Sequence, residues 1–317
     1  MLKNRVIIIG NGFDLDLGLK TSYKDFFESI FNPFDAQSLA ESPLAYYIKS
    51  QTSINTWFDL ENILHTYSSK DNNLTLRTST KRIISPTQAL TADKKFFNQI
   101  KHYLEMYIKS QINNEINKNS YAAIALKNLI KYSNNNKFLT FNYTDINNFA
   151  RQICNQVIDF SYVHGSCIDS SAIIGISDSY EVRNGYEFLY KTSSPHYQST
   201  NVRYSLQEAK EIIFYGHSLG RQDYHYFQDF FERQCRDNMT EGDLCKITFF
   251  TKDENSRLSL LAQLRTMNHG RMNYLYDCNQ LRFIKTTEHN EKQLQQFIKE
   301  LQDRNIEEII DTIIDYN

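Results

Sequence analysis

The chain of 317 residues is long enough to bury a sizeable core, and its 41% hydrophobic and 23% charged content is that of a globular protein. A formal net charge of -2 with scattered Lys and Arg excludes a nucleic-acid surface, which needs clustered cations, and no apolar run is long enough to span a bilayer. Five cysteines without a C-x-x-C pair exclude a disulfide framework or a zinc knuckle, and with no cleavable leader in view they point to reduced thiols in the cytoplasm.

In chain order, Arg5–Ile9 is a short β-branched run ending in glycine, the pattern of a buried strand. Behind it, "GNGFDLDLGLKTSYKDFF" sets Gly10, Gly12 and Gly18 between that strand and a helix. Such a turn can take a phosphate on backbone N–H groups at a helix start; the bland alternative is a tight turn with no ligand. Thr21 or Ser22 is the expected N-cap of a helix beginning near Tyr23. Residues 31–135 offer helical patterns only, in "PLAYYIKS", "TWFDLENILHTY" and Asp93–Ile116, with a loop near Lys70–Ala89. They are expected to form a helical insertion after the first strand. The strand rhythm resumes at Lys137–Phe141, Asp159–Val163, Ala172–Ile176, Ile212–Tyr215, Lys246–Thr251 and Leu281–Lys285. Helices are expected at Asp145–Val157, Gln222–Arg236 and Asn255–Met267, and two amphipathic helices close the chain over 290–317. This alternation predicts a single α/β domain, residues 1–317, with a parallel sheet covered by helices on both faces.

Open α/β sheets bind ligands beyond the C-terminal ends of their strands, and three further polar motifs fall there. They are "TFNYTD" (Thr140–Asp145), "YVHGS" (Tyr162–Ser166) and "YGHSLGRQD" (Tyr215–Asp223). Each has a plain structural use: Asn142 could cap a helix, His164 could be a satisfied buried imidazole, and Ser218 could bond its own turn. Their convergence with the glycine turn on one crevice is the specific signal. No His, Cys or carboxylate cluster has metal-ligand spacing, so no metal is expected. His217, Asp223 and His225 lie close together, which a helix face or a ligand contact explains as well.

Taken together, "GNGFDLDLGLKTSYKDF", "TFNYT", "YVHGS" and "YGHSLGRQDYHYF", with "WFDLE" at Trp57–Glu61, resemble the AbiH family of bacteriophage abortive-infection proteins over Gly10 to Phe227. The same four motifs are similar in order to the sirtuin-like NAD-binding fold. Gly10, Gly12 and Gly18 match its three glycines, Asn142 its strand-end asparagine, His164 its histidine, and Gly216 with Ser218 its late turn. Asp14 departs from that pattern where it has a small hydroxyl residue, and Thr144 stands where related sequences carry Asp. The two C-x-x-C pairs of the protein deacetylases are missing. The resemblance therefore implies a sirtuin-like Rossmann-type sheet and NAD chemistry without a protein substrate: an NAD+ glycohydrolase of abortive infection that cleaves the nicotinamide–ribose bond.

In that frame Asn142 orients the ribose and a water, and His164 is the general base. Gly10, Asn11, Gly12 and Phe13 hold the pyrophosphate by backbone N–H, with Phe13 against the nicotinamide and Asp14 facing a ribose hydroxyl. Thr21, Ser22 and Tyr23 close over the ligand, while Gly216, His217, Ser218 and Asp223 complete its pocket. A homo-oligomer is expected, switched on by an activator protein or a phage component. Two other readings remain open. One is a non-catalytic nucleotide sensor using the same crevice. The other is a serine hydrolase: Gly216–Gly220 reads as G-x-S-x-G, and Ser218, Asp253 and His269 or His289 follow in the required order. Against the hydrolase, Arg221 follows the second glycine where the elbow packs a small residue, and the Gly10–Gly18 turn and Asn142 go unexplained.

Overall fold

The structure is a computed structural model describing residues 5–52, 60–71, 76–80, 83–112, 114–132, 136–236, 239–240, 244–287 and 291–315. The chain opens with β1 (Arg5–Ile9), α1 (Asn11–Asp16), α2 (Tyr23–Glu28), α3 (Ala36–Glu41) and α4 (Pro43–Thr52). Helices α5 (Leu60–Ser68), α6 (Pro86–Gln111) and α7 (Tyr121–Lys131) lead to β2 (Asn136–Thr140), α8 (Ile146–Cys154) and β3 (Phe160–Tyr162). Then come α9 (Val202–Glu208), β4 (Glu211–Tyr215), α10 (Tyr224–Arg233), β5 (Lys246–Thr251), α11 (Glu254–Met267), α12 (Met272–Asp277), β6 (Gln280–Lys285) and α13 (Glu291–Asp315).

The chain divides into two compact units, drawn differently from the single domain that the sequence suggests. The first comprises residues 1–19, 115–163 and 200–317. Its sheet has the order β3-β2-β1-β4-β5-β6, and every pairing is parallel. This is the Rossmann-type plan, with its topological switch between β1 and β4. The parallel sheet explains why the central strands are apolar throughout, since both faces are covered. Alternate residues Val6, Ile8, Leu139, Ile212, Phe214 and Phe249 pack beneath α9 to α12, while Ile7, Ile9, Phe138, Ile213, Tyr215 and Phe250 face α1, α7, α8 and α13.

The second unit comprises residues 20–114 and 164–199. Its interior is organised around Asp93 on α6, which is fully buried and accepts hydrogen bonds from Ser42 Oγ (2.7 Å), Leu44 N–H (2.9 Å), Tyr67 Oη (2.5 Å) and Tyr186 Oη (2.7 Å). Burial pushes the Asp93 carboxyl above its ordinary value, and these donors pull the other way.

Three sequence expectations are corrected. Ala172–Ile176 is no strand: it makes one isolated bridge, Ile176 to Tyr190, and Gly175 lies at φ +150°. Its apolar run reports burial, since Ile173, Ile174 and Ile176 are core residues of the second unit. The insertion runs from Lys20 to Asn114, short of residue 135, because Ala122, Ala125, Leu126 and Leu129 of α7 pack on the sheet as an ordinary crossover helix. The two expected C-terminal helices are one, α13, whose span contains neither Gly nor Pro to break it.

Candidate functional site

The glycine turn follows β1 at once. Gly10 is the N-cap of α1, a helix of only 6 residues, and Gly18 closes its exit with φ +89°. Three backbone donors of this turn are committed inside the protein. Gly10 N–H donates to the Tyr215 carbonyl (2.9 Å), Gly12 N–H to the Gly216 carbonyl (3.0 Å) and Phe13 N–H to the Gly10 carbonyl (2.9 Å). A Cβ on Gly10 would lie 2.6 Å from His217 Cα, and one on Gly12 would lie 2.7 Å from Gly216 Cα. Gly216 reciprocates, at φ +64° and with Gly12 and Phe13 backbone 2.5 Å from any Cβ. The two turns are glycine because of each other, across the β1–β4 switch point. The expected pyrophosphate cradle of Gly10 to Phe13 is thus corrected at Gly10, Gly12 and Phe13, whose N–H groups are already used. Phe13 is also buried in the core, edge-on to Tyr215 at 5.4 Å, and is not placed to stack on a nicotinamide.

One strand over, the end of β2 delivers Asn142. The residue is 4% exposed, and both amide hydrogens point inward, to the Gly10 carbonyl (3.2 Å) and to Asp14 Oδ1 (2.8 Å). Thr144 Oγ1 donates to the other Asp14 oxygen (2.8 Å). Asn142 Oδ1 is left buried and unpartnered. Asp14 is itself 1% exposed, and burial lifts its carboxyl from 3.8 to about 7 against the opposing pull of Thr144 and Asn142. From the neighbouring β3, Tyr162 Oη accepts the Ile146 N–H (3.2 Å) that opens α8. On α1, Asp16 accepts from Tyr215 Oη (2.6 Å) and Ala122 N–H (2.7 Å), tying the first helix to β4 and α7.

The turn after β4 carries His217, Ser218 and Asp223. His217 is buried with its ring edge against Phe141 (4.4 Å), and its Nδ1 accepts Leu219 N–H (3.0 Å). That fixes the proton on Nε2, which faces Asp223 Oδ2 at 3.6 Å. Ser218 is exposed. The left-handed residues are Gly216 and Leu219 (φ 51°), and the next α-helix begins only at Tyr224, so the strand–Ser–helix elbow is not formed. Nor does the hydrolase triad assemble: Asp253 caps α11 through Ser256, and His269 is exposed and paired with Glu232 at 3.0 Å. His289 lies outside the described residues.

The remaining predicted residues belong to the second unit. Ser22 caps α2, accepting Asp25 N–H (3.1 Å) in a reciprocal capping box, with Thr21 before it and Tyr23 opening the helix. His164 is buried, and its Nε2 lies 3.3 Å from the Nζ of Lys191, itself 2% exposed and paired with Glu61 at 3.0 Å. A lysine ammonium can only donate, so this imidazole nitrogen accepts. Glu61 of "WFDLE" therefore ends on the partner of His164, while Trp57 and Asp59 lie outside the described residues. Lys191 gives no signal in the sequence, because a lone lysine in a polar loop says nothing until its burial is known.

Among the described residues no group of side chains could hold a metal ion, and no described helix is long and apolar enough to cross a membrane. No curated protein matches the chain. The family model described as bacteriophage abortive infection AbiH matches residues 6–241, which covers the glycine turn, Asn142, His164 and the β4 turn. The chain belongs to the AbiH family, and with it to abortive infection in response to bacteriophage.

Proposed function

We propose that this protein is an NAD+ glycohydrolase of abortive infection, hydrolysing the nicotinamide–ribose bond with water to give ADP-ribose, nicotinamide and a proton. The observation that carries the reading is Asn142 Oδ1, a buried acceptor without a partner at the C-terminal edge of a Rossmann-type sheet. An acceptor fixed there suits a ribose hydroxyl or the attacking water, whose alignment matters most for an oxocarbenium-like transition state. The motif resemblance to sirtuin-like NAD sites supports the same substrate. In the second unit, His164 Nε2 already faces Lys191 Nζ, so proton uptake there requires Lys191 to withdraw. NAD would be recognised by side chains and the β4 turn, since the Gly10, Gly12 and Phe13 amides are committed.

A second reading, a nucleotide sensor without turnover, is favoured by the Lys191 contact that occupies His164. Incubating the protein with NAD and quantifying free nicotinamide separates the two. Wild type is expected to release nicotinamide and Asn142→Ala to lose at least about a hundredfold of that rate, with Ser218→Ala retaining most of it. NAD binding by calorimetry without release would establish the sensor instead.

A further inference from the structure

Resting on the glycohydrolase reading, we infer that Asp14 is a positioning residue, whose ionised carboxylate holds the Asn142 amide in the one orientation that turns Oδ1 toward the ligand. Three observations converge. Asp14 Oδ1 and the Gly10 carbonyl take both Asn142 amide hydrogens, at 2.8 and 3.2 Å. Thr144 Oγ1 takes the second Asp14 oxygen at 2.8 Å, so both oxygens act as acceptors. Asn142 Oδ1 is then the leftover atom, buried with no internal partner.

The arrangement is costly if Asp14 serves structure alone. Among the described residues the Asp14 carboxylate is met by neutral donors, burial opposes its charge, and the bonded Asn142 keeps an orphaned oxygen. Protonation would turn one of the two acceptor oxygens into a donor, so the bonds from Asn142 and Thr144 could not both stay as they are. Tyr162 on β3 senses the charge of Asp14 and of Asp145 at the start of α8, and Asp16 stands two residues further along α1.

The test follows the Asn142 side-chain amide directly. In 15N-labelled protein its resonance pair is identified by its loss from an otherwise native Asn142→Ala spectrum, then tracked across pH in wild type and in Asp14→Asn. The pair is expected to move with an inflection near the Asp14 value of about 7 in wild type and to lose that inflection in Asp14→Asn. A pair that does not titrate, or titrates equally in both, overturns the assignment. Turnover is the companion readout. Asp14→Asn should lower kcat by about a hundredfold with KM changed little, since a misaligned group costs rate more than binding. Adding Asp14→Asn to Asn142→Ala should then cost nothing more. An active wild type with an unchanged Asp14→Asn kcat overturns the inference. If the amide titrates as expected yet wild type releases no nicotinamide, Asp14 keeps its role and the glycohydrolase reading falls.

Discussion

Asp14 joins two facts that the sequence keeps 128 residues apart, its own glycine-turn position and the asparagine at the end of β2. Each is visible as a motif, and the carboxylate stands out as a departure from the sirtuin-like pattern; the bond between them belongs to the register of β1 against β2, where Ile9 sits beside Thr140. The elevated carboxyl also has a thermodynamic signature with a definite sign. Below 3.8 the group is protonated in both folded and unfolded chains. Between 3.8 and about 7 the unfolded chain ionises while the folded one keeps its proton, so stability falls as pH rises, and above 7 the loss is complete. A tenfold difference in proton affinity between the folded and unfolded chains is worth about 1.4 kcal/mol, so the loss is on the order of a few kcal/mol. Urea midpoints at acidic and alkaline pH should therefore diverge in wild type and converge in Asp14→Asn. A variant more stable than its parent at alkaline pH, and slower, is the expected result; an equal pH slope in both proteins would assign the titration elsewhere.

Among the elements, the strands at Arg5–Ile9, Ile212–Tyr215 and Lys246–Thr251 were legible because residues buried on both faces of a parallel sheet must be apolar without interruption. The same rule misreads Ala172–Ile176, whose apolar side chains are buried without forming a strand. The glycines were legible as turns but not as partners: nothing in a single sequence says that Gly10 and Gly12 make room for Gly216. Helix α13 is amphipathic in the sequence, and its apolar side is part of the core. Phe297 is fully buried edge-on to Phe250 at 5.1 Å, with Leu294 and Leu301 beside it. Its charged side reaches the opposite end of the strands from Asn142, where Glu300 meets Lys246 and Arg282, and Arg304 joins the buried Arg5–Glu211 pair. Phe297→Ala should cost about 3–5 kcal/mol in chemical unfolding, as a large cavity under a sheet does; a change below about 1 kcal/mol would return the helix to the surface.

At the scale of the whole molecule, the two units have interiors of different character. The first has two apolar layers on a sheet; the second is pinned by a carboxylate that four donors satisfy. Asp93→Ala leaves those donors buried without an acceptor, a loss of about 3–5 kcal/mol. Hydrogen exchange read by mass spectrometry should show peptides from 20–114 and 164–199 losing protection while the β1, β4 and β5 peptides keep theirs. Uniform loss across the chain would mean that the units melt as one. Strand order carries a consequence for synthesis. β1 lies between β2 and β4, so this central strand is made before both neighbours, and the second of them emerges about 200 residues later. At ribosomal speeds that interval is roughly ten to forty seconds. For that time the five residues of β1, Arg5 to Ile9, lack one of their two neighbours, which makes the nascent chain a natural client for chaperones during translation.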